Sequence, residues 1–293
     1  MYELIQLSES CFYIQSPAKI GLIKLNETEV CLIDSGNDKD AGRKVRQILG
    51  SNGWSLKAIY NTHSNADHIG GNKYLKAQTN CKIYAPGIEA DFTNHPILEP
   101  SFLYGGYPSK DLRHKFLMAQ ECECLSLCTN VLPKGIEIIS LPGHFFDMVG
   151  YRYEDVVYLA DCLSSKATLD KYGIGFIYDV SAYIETLERV KMMNAKMFVP
   201  SHADACEDIS ELVQYNIDKV NEIAEKIINI CREPLNFESI LQMLFEEYSL
   251  KMTFEQYCLV GSTVRSYLTY LKDKGELEFI FEDNMMLWKK QGN

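Results

Sequence analysis

The chain has 293 residues, of which 46% are hydrophobic and 24% are charged. These proportions are typical of a folded globular protein, and the length allows one large domain plus a small appended one. The formal net charge of −11 argues against a general nucleic-acid or anionic-membrane surface, because such surfaces need excess Lys and Arg. We therefore expect no membrane partner and do not favour nucleic acid, although the total charge does not exclude one local basic groove.

The first residues, MYELIQLSESCFYIQSP, lack the basic segment and unbroken apolar core of a signal peptide. No stretch reaches the roughly 18 uncharged apolar residues of a membrane span. We expect a cytoplasmic protein, in which the ten cysteines are free thiols rather than disulfides. Cys122, Cys124 and Cys128 lack a CxxC pair, which favours buried or half-buried thiols over a metal or redox site.

The order of predicted elements indicates two β-rich halves. Short strands with turn breaks fill the first 35 residues, and a helix follows in DKDAGRKVRQILGSNG. Strands and helices then alternate up to an irregular, aromatic-containing region from about 87 to 130, which we predict to be a helical lid or insertion. Strands resume at about residue 131. Two such halves with helices outside predict a four-layer αββα sandwich of the α/β (α+β) class.

The pattern changes to helices alone at about residue 207 and ends with a two-strand hairpin. We predict two domains, residues 1–206 and a small C-terminal helical, winged-helix-like domain at residues 207–293. From residue 236 onward nine acidic residues stand against six basic ones, whereas a DNA-reading winged helix needs a basic surface. Packing, formation of a homodimer or shaping the rim of a site is therefore the favoured role.

Metal-ligand side chains follow four apolar segments. LKAIYNTH ends at His63, IEIISLPGH at His144, DVVYLAD at Asp161 and KMFVPSH at His202. Rigid strand ends that lie along one edge of a sheet converge in space. Four of the six histidines, including His68, lie in these contexts, and this pattern predicts a metal site.

Here the sequence resembles a known family. THSNADHIGG (residues 62–71) resembles the THxHxDHxGG motif of the metallo-β-lactamase-fold superfamily, and LPGH, LAD and PSH follow in that superfamily's order. LIDSG, which contains Asp34, resembles its Asp-Thr/Ser-Gly strand end. The resemblance covers about residues 1–206. It is greatest to the hydrolase branch with the glyoxalase II-like enzymes, some of which carry a winged-helix-like extension.

The resemblance implies a dinuclear centre. One metal would be held by His63, position 65 and His144, and the other by Asp67, His68 and His202, with Asp161 bridging both. Imidazoles and carboxylates suit one or two divalent ions, Zn²⁺ first, with Fe²⁺ or Mn²⁺ as alternatives.

The same resemblance implies a hydrolase that uses a metal-bound hydroxide on an ester, thioester or related bond, with Asp67 as a catalytic residue. Asp34 would accept a hydrogen bond from a ligand histidine, or else cap the turn before Gly36. Gly70 and Gly71 would let the next helix approach closely.

Asn65 departs from the motif, which has histidine at that position. An amide oxygen is a weaker ligand than imidazole for a borderline-soft metal. Three outcomes are open: Asn65 coordinates through its oxygen in a two-metal site, the first position stays empty and one ion acts alone, or the site is degenerate.

A small-molecule acyl substrate is favoured over RNA or DNA, because the presumed pocket walls contain aromatic residues (Tyr104, Tyr107, Phe176 and Tyr178) and few basic ones. Two alternatives remain. One is a metal-dependent nuclease, suggested by the C-terminal outline. The other is a non-enzymatic protein with a reduced metal site that binds or senses through its C-terminal domain.

Overall fold

The computed structural model describes residues 2–292, and two packed β-sheets form its centre. The first sheet has seven strands in chain order: β1 (Glu3–Gln6), β2 (Cys11–Gln15), β3 (Ile20–Lys24), β4 (Glu29–Ile33), β5 (Ser55–Tyr60), β6 (Lys82–Ala85) and β7 (Leu125–Ser126). Strands β1 to β4 pair antiparallel, and β4 to β7 pair parallel. The parallel strands place the ends of β4 and β5 at one edge of the sheet.

The second sheet has four strands, in the order β11-β10-β9-β8. They are β8 (Glu137–Ser140), β9 (Val149–Tyr153), β10 (Val156–Ser164) and β11 (Met197–His202). β10 pairs parallel with β11 and antiparallel with β9. A separate hairpin consists of β12 (Leu277–Glu282) and β13 (Met285–Lys290).

Ten α-helices connect and cover these strands in the described part of the chain. They are α1 (Lys39–Ser51), α2 (Ala66–Ile69), α3 (Asn72–Thr79), α4 (Glu89–Asn94), α5 (Leu98–Tyr104), α6 (Lys166–Tyr172), α7 (Val180–Lys191), α8 (Ser210–Ile230), α9 (Phe237–Glu247) and α10 (Phe254–Asp273). Short 3-10 helices lie at Lys110–Leu112 and Thr129–Val131. None of the described helices combines the length and apolar character needed to cross a bilayer.

Apolar side chains fill three layers between these elements. Val45 and Leu49 of α1 and Leu75 of α3 pack on the outer face of the first sheet. Between the sheets, Tyr60 of β5 lies against Tyr151 of β9, with ring centroids 6.2 Å apart. Helices α7 and α8 cover the outer face of the second sheet, and α10 packs against both helices. The predicted four-layer αββα sandwich is confirmed.

The helices after residue 207 share a core with the second sheet. One cluster of buried residues extends from Leu141 to Leu277 and includes residues of β10, α7, α8, α9 and α10. The predicted order of helices followed by a hairpin is present in α8 to β13. The winged-helix interpretation and the domain boundary at residue 206 stay predictions, and this boundary would divide a continuous core.

The predicted strand ends were wrong at three of the four ligand positions. β5 ends three residues before His63, and β8 ends four residues before His144. After β5, the Thr62 N–H turns from the sheet to the carboxylate of Asp34. Asp161 lies inside β10, next to a bulge at Ala160 with a φ of +52°.

The region from 87 to 130 is only partly the helical insertion that we predicted. It contains α4 and α5, but its last part forms β7 and extends the first sheet. The strand is only two residues long, which is too short for its sequence to show a period of two.

Glu89 of α4 joins the two segments that carry His63 and His144. Its Oε2 accepts hydrogen bonds from Ser64 N (3.0 Å) and Ser64 Oγ (2.6 Å), and its Oε1 accepts one from Asp147 N (2.9 Å). The side chain is fully buried. Burial outweighs these hydrogen bonds and raises the pKa of Glu89 to about 7. One buried carboxyl group therefore links the edges of both sheets.

Gly71 tests the predicted close approach of α3 to the first sheet. A Cβ at Gly71 would lie 2.3 Å from the carbonyl oxygen of Ser35, although its φ of −82° suits any residue. We expect Gly71→Ala to destabilise the protein by about 1–3 kcal/mol in urea unfolding, because the backbone must shift. Gly50→Ala, which meets nothing within 4 Å in α1, should instead stabilise it by roughly 0.5–1 kcal/mol. Equal effects would contradict the close approach.

Glu89 should make stability depend on pH. The folded chain keeps the Glu89 proton up to about pH 7, whereas the unfolded chain loses it near pH 4.5, so stability falls as the pH rises through this window. We expect Glu89→Gln to lower the free energy of unfolding at every pH. Its decrease between pH 4.5 and pH 7 should be smaller than in the wild type by roughly 3 kcal/mol, as measured by urea unfolding at fixed pH values. Glu121→Gln at the surface is the control. An unchanged pH dependence in Glu89→Gln would contradict the assignment.

Candidate metal centre

The four histidines predicted as ligands surround the carboxylate of Asp161. Its Oδ1 lies 3.1 Å from His68 Nε2, and its Oδ2 lies 3.1 Å from His202 Nε2. His144 Nε2 and His63 Nε2 lie 3.7 and 4.0 Å from the same Oδ2. The two sheets therefore bring four imidazoles to one carboxylate.

These residues form two groups that share Asp161. We call the group of His63, His144 and Asp161 the first position, and the group of Asp67, His68, Asp161 and His202 the second position. Within each group the possible ligand atoms all lie within 4.8 Å of one another. The two groups are the sets that the sequence resemblance implied, apart from Asn65.

Hydrogen bonds fix the rings of the two histidines in the motif. His68 Nδ1 lies 2.8 Å from Asp34 Oδ2. His63 Nδ1 lies 2.9 Å from Thr62 Oγ1, which donates its own hydrogen to Asp34 Oδ2 at 2.8 Å. Since Oγ1 uses its hydrogen on Asp34, it accepts from His63 Nδ1–H. In both rings Nδ1 therefore carries a proton.

The other two histidines have the same arrangement. His144 Nδ1 lies 3.1 Å from the carbonyl oxygen of Phe176, and His202 Nδ1 lies 3.2 Å from that of Pro17. A carbonyl oxygen only accepts, so Nδ1 is the donor in each ring. All four histidines donate from Nδ1 and turn Nε2 toward Asp161, as metal-ligating histidines do when their second nitrogen is held by the protein.

Buried atoms without hydrogen-bond partners show that the site fits a cation. Among the described residues, His63 Nε2, His68 Nε2 and Asp161 Oδ1 are buried and have no hydrogen bond, although buried polar atoms are normally satisfied. The 3.1 Å between His68 Nε2 and Asp161 Oδ1 brings together two atoms that can both coordinate one ion. The donor set of imidazoles and carboxylates suits a divalent metal.

Burial and the charged groups of the site shift the pKa values of its histidines. Burial disfavours charge on His202 and His68, but the carboxylates of Asp161 and Asp67 outweigh it; they raise the pKa of His202 to about 10 and raise that of His68. Burial and the neighbouring His68 lower the pKa of His63. Protons and metal ions thus compete for the nitrogens of the second position.

Asp34 lies where an acceptor for a ligand histidine was predicted. Beside His68 Nδ1 and Thr62 Oγ1, its carboxylate accepts from Thr62 N at 2.8 Å and Asn61 Nδ2 at 3.4 Å. Within residues 2–292 none of these hydrogen bonds comes from its own turn, so the turn-capping alternative does not describe its contacts. The left-handed φ of Asp34, +64°, turns the chain away from the sheet at this point.

Asn65 places its side-chain oxygen at the first position. Its Oδ1 lies 3.2 Å from His144 Nε2, and its Nδ2 donates to Glu99 Oε1 at 2.8 Å. Sequence reasoning identified Asn65 but missed Glu99 and Glu89, because both lie in the irregular insertion with no periodic pattern around them. Thr62 was part of the motif, and its side-chain role was visible only in the structure.

The four aromatic residues predicted to line the pocket do not share one cavity. Phe176 lines a cavity of about 50 Å³ together with His144 and Asp161. Tyr104 and Tyr178 line a different, open groove of about 1040 Å³ between α5 and α10. Tyr107 is 75% exposed and lines neither. Only Phe176 of the four therefore shares a cavity with the centre.

The cysteines of the predicted cluster, Cys122, Cys124 and Cys128, are not among the candidate metal ligands. The two groups of possible metal ligands in the described chain contain no cysteine. Cys122 and Cys124 are buried, and Cys128 is exposed. The burial expected for this cluster thus holds for two of its three members.

Known proteins resemble the chain in sequence. The hydroxyacylglutathione hydrolase of Rhodopseudomonas palustris (strain BisB18) is 32% identical over 130 residues, which are 44% of this chain and 42% of that protein. The match thus spans less than half of that relative's length. The beta-lactamase-like protein 2 homolog of Drosophila melanogaster is 21% identical over 258 residues, 84% of this chain and 79% of that one.

A structural similarity and a match to a family model agree with these sequence similarities. The crystal structure of a beta-lactamase domain protein from Burkholderia ambifaria has a TM-score of 0.74 at 14% identity and covers 98% of this chain and 93% of that one. This similarity of fold includes the C-terminal helices. A family model described as Metallo-beta-lactamase superfamily matches residues 15–202. Since this match extends over more than half of the sequence, the chain belongs to the metallo-beta-lactamase superfamily.

Proposed function

We propose that the chain is a divalent-metal-dependent hydrolase that cuts an ester, thioester or related bond in a small molecule. The observation that carries this proposal is the convergence of four histidine Nε2 atoms on Asp161, each ring held from outside through Nδ1. Family membership supports hydrolysis, and the name of the Rhodopseudomonas palustris relative, hydroxyacylglutathione hydrolase, supports an acyl substrate.

The proposed ligands occupy two positions. Asn65 Oδ1 would complete the first position, and Asp161 would be shared with the second. We favour two Zn²⁺ ions, with Fe²⁺ or Mn²⁺ as alternatives, because imidazole and carboxylate ligands suit all three. When bound, such ions activate water for attack and polarise the bond to be cut.

Asp67 is the more accessible carboxylate of the centre. Its side chain is 38% exposed, against 9% for Asp161, so a substrate or a water molecule can reach it. Burial opposes its charge, but His68 and His202 outweigh this effect and hold the pKa of Asp67 well below its usual range. Because this carboxylate stays ionised and is accessible, it can hold a cation and orient a water molecule as a hydrogen-bond acceptor.

The cavity beside the centre supports a small acyl group. It has a volume of about 50 Å³ and is lined by His144 and Asp161, by apolar side chains such as Phe176 and Ile177, and by Lys219. Space of this size holds only a few heavy atoms, since one water occupies roughly 10–15 Å³ by the same measure. The small volume and the mainly apolar lining together favour a short carbon chain over a polyanion.

The proposal predicts chelator-sensitive turnover. In a panel of a thioester, a lactone and a phosphodiester, we expect hydrolysis of the thioester or the lactone. This hydrolysis should be lost after treatment with EDTA and recovered with Zn²⁺. Asp67→Ala should lower kcat/KM by at least about 100-fold, because it removes a proposed metal ligand and a hydrogen-bond acceptor for water. Circular dichroism would show that the variant is folded.

Asp40→Ala provides the matched control, since Asp40 is an exposed carboxylate in α1 that pairs with Arg43, and it should keep wild-type activity. The absence of metal-dependent turnover with all three substrates would contradict the proposed function. Cleavage of the phosphodiester alone would favour the nuclease alternative instead.

A further inference from the structure

Glu99 is a buried carboxyl group beside the first position. It lies in the first turn of α5 and is 5% exposed. Among residues 2–292 its hydrogen-bond partner is Asn65, and no Lys or Arg forms an ion pair with it. Buried glutamates are rare unless they are paired, so the contact with Asn65 calls for an explanation.

The side chain of Asn65 lies between Glu99 and the candidate metal centre. Its amide nitrogen donates to Glu99 Oε1 (2.8 Å), and its amide oxygen lies 3.2 Å from His144 Nε2. In either protonation state Glu99 keeps an oxygen that can accept this hydrogen bond. Since His144 donates from Nδ1 to Phe176, its Nε2 and the Asn65 oxygen both offer lone pairs at the same place.

We propose that Glu99 is a positioning residue that orients the Asn65 amide, so that the oxygen rather than the nitrogen completes the first position. This inference rests on the metal assignment in the proposed function. The amide can turn either way, but only the oxygen has a lone pair for a cation. Glu99 selects the productive orientation from outside, as Asp34 does for the ring of His68.

The position of α5 does not depend on the carboxyl group. Phe102 of the same helix packs against Phe145 and Phe146, with ring centroids 6.3 and 5.2 Å apart. A variant without the Glu99 carboxyl group should therefore keep α5 in place and lose only the hydrogen bond to Asn65.

The effect of Glu99 should be confined to one ion. Asn65 contacts His144 of the first position, whereas His68 and His202 of the second position are held by Asp34 and by the carbonyl oxygen of Pro17. A neutral amide oxygen is a weaker ligand for Zn²⁺ than imidazole. The first position is therefore the weaker one, and it is the one that Glu99 controls.

The test measures Zn²⁺ binding to metal-free wild type, Glu99→Gln and Glu99→Met. We expect two ions in the wild type, with distinct affinities in titration against a chromophoric chelator. Glu99→Met should weaken the weaker site by about 10–100-fold and leave the tighter site unchanged. Glu99→Gln keeps a side-chain oxygen that can accept from Asn65 and should stay within a few-fold of the wild type.

Co²⁺ in place of Zn²⁺ supplies a second readout, because its visible absorption reports on the ligands. The band that grows with the second equivalent should change in Glu99→Met, and the band of the first equivalent should not. Ser101→Ala in the same helix is the control, since Ser101 Oγ donates to the carbonyl oxygen of Ile97 and does not touch Asn65. It should leave both Zn²⁺ affinities and both Co²⁺ bands unchanged.

The outcomes separate this inference from the proposed function. No Zn²⁺ in any of the proteins would overturn the metal assignment itself. Two ions in the wild type with both affinities unchanged in Glu99→Met would overturn the role of Glu99 and leave the assignment intact. An equal loss at both sites would also overturn it, because it would show a general structural role, and so would a single ion in the wild type that Glu99→Met does not affect.

Discussion

The hydrogen bonds to Asp34 hold the candidate centre together. Its carboxylate is 2% exposed, follows β4, and accepts from Thr62 N, Thr62 Oγ1 and His68 Nδ1. Through Thr62 it also fixes the ring of His63. Hydrogen bonds to a buried charged acceptor are short and strong. One carboxylate therefore sets the orientation of a histidine in each of the two positions, and the carbonyl oxygens of Phe176 and Pro17 do the same for the other two.

Much of the site could be predicted from the sequence, because its ligands lie in or just after buried strands with a clear apolar pattern. The exact strand ends could not be predicted. Beyond them, backbone N–H groups donate to side chains such as Asp34 instead of to a neighbouring strand. The bulge at Ala160 could not be predicted from the sequence. It shifts the strand register just before Asp161, within a strand that continues to Ser164. Glu89 and Glu99 were missed because their burial results from tertiary packing of an irregular segment.

Asn65 puts a different ligand atom at the first position, but the way in which the protein holds that side chain is the same as for the histidines. Each ligand histidine has one nitrogen held from outside and one turned inward, and Asn65 has its amide nitrogen held by Glu99 and its oxygen turned inward. Such outer contacts orient ligands toward a metal, so a degenerate site would have no need of them for binding. Their presence here favours a centre that still binds ions over a relic.

Because the second sheet and the C-terminal helices share a core, the centre forms late relative to the synthesis of its ligands. His202 is the last candidate ligand in the chain, but α8, which covers β10 and packs against α7, begins only at Ser210. A nascent chain that has just passed His202 contains every ligand, yet the apolar face beneath Asp161 is still open to water. Because α8 is made after His202, the strand that carries Asp161 gains its cover late, and the centre can become rigid only after α8 has been made.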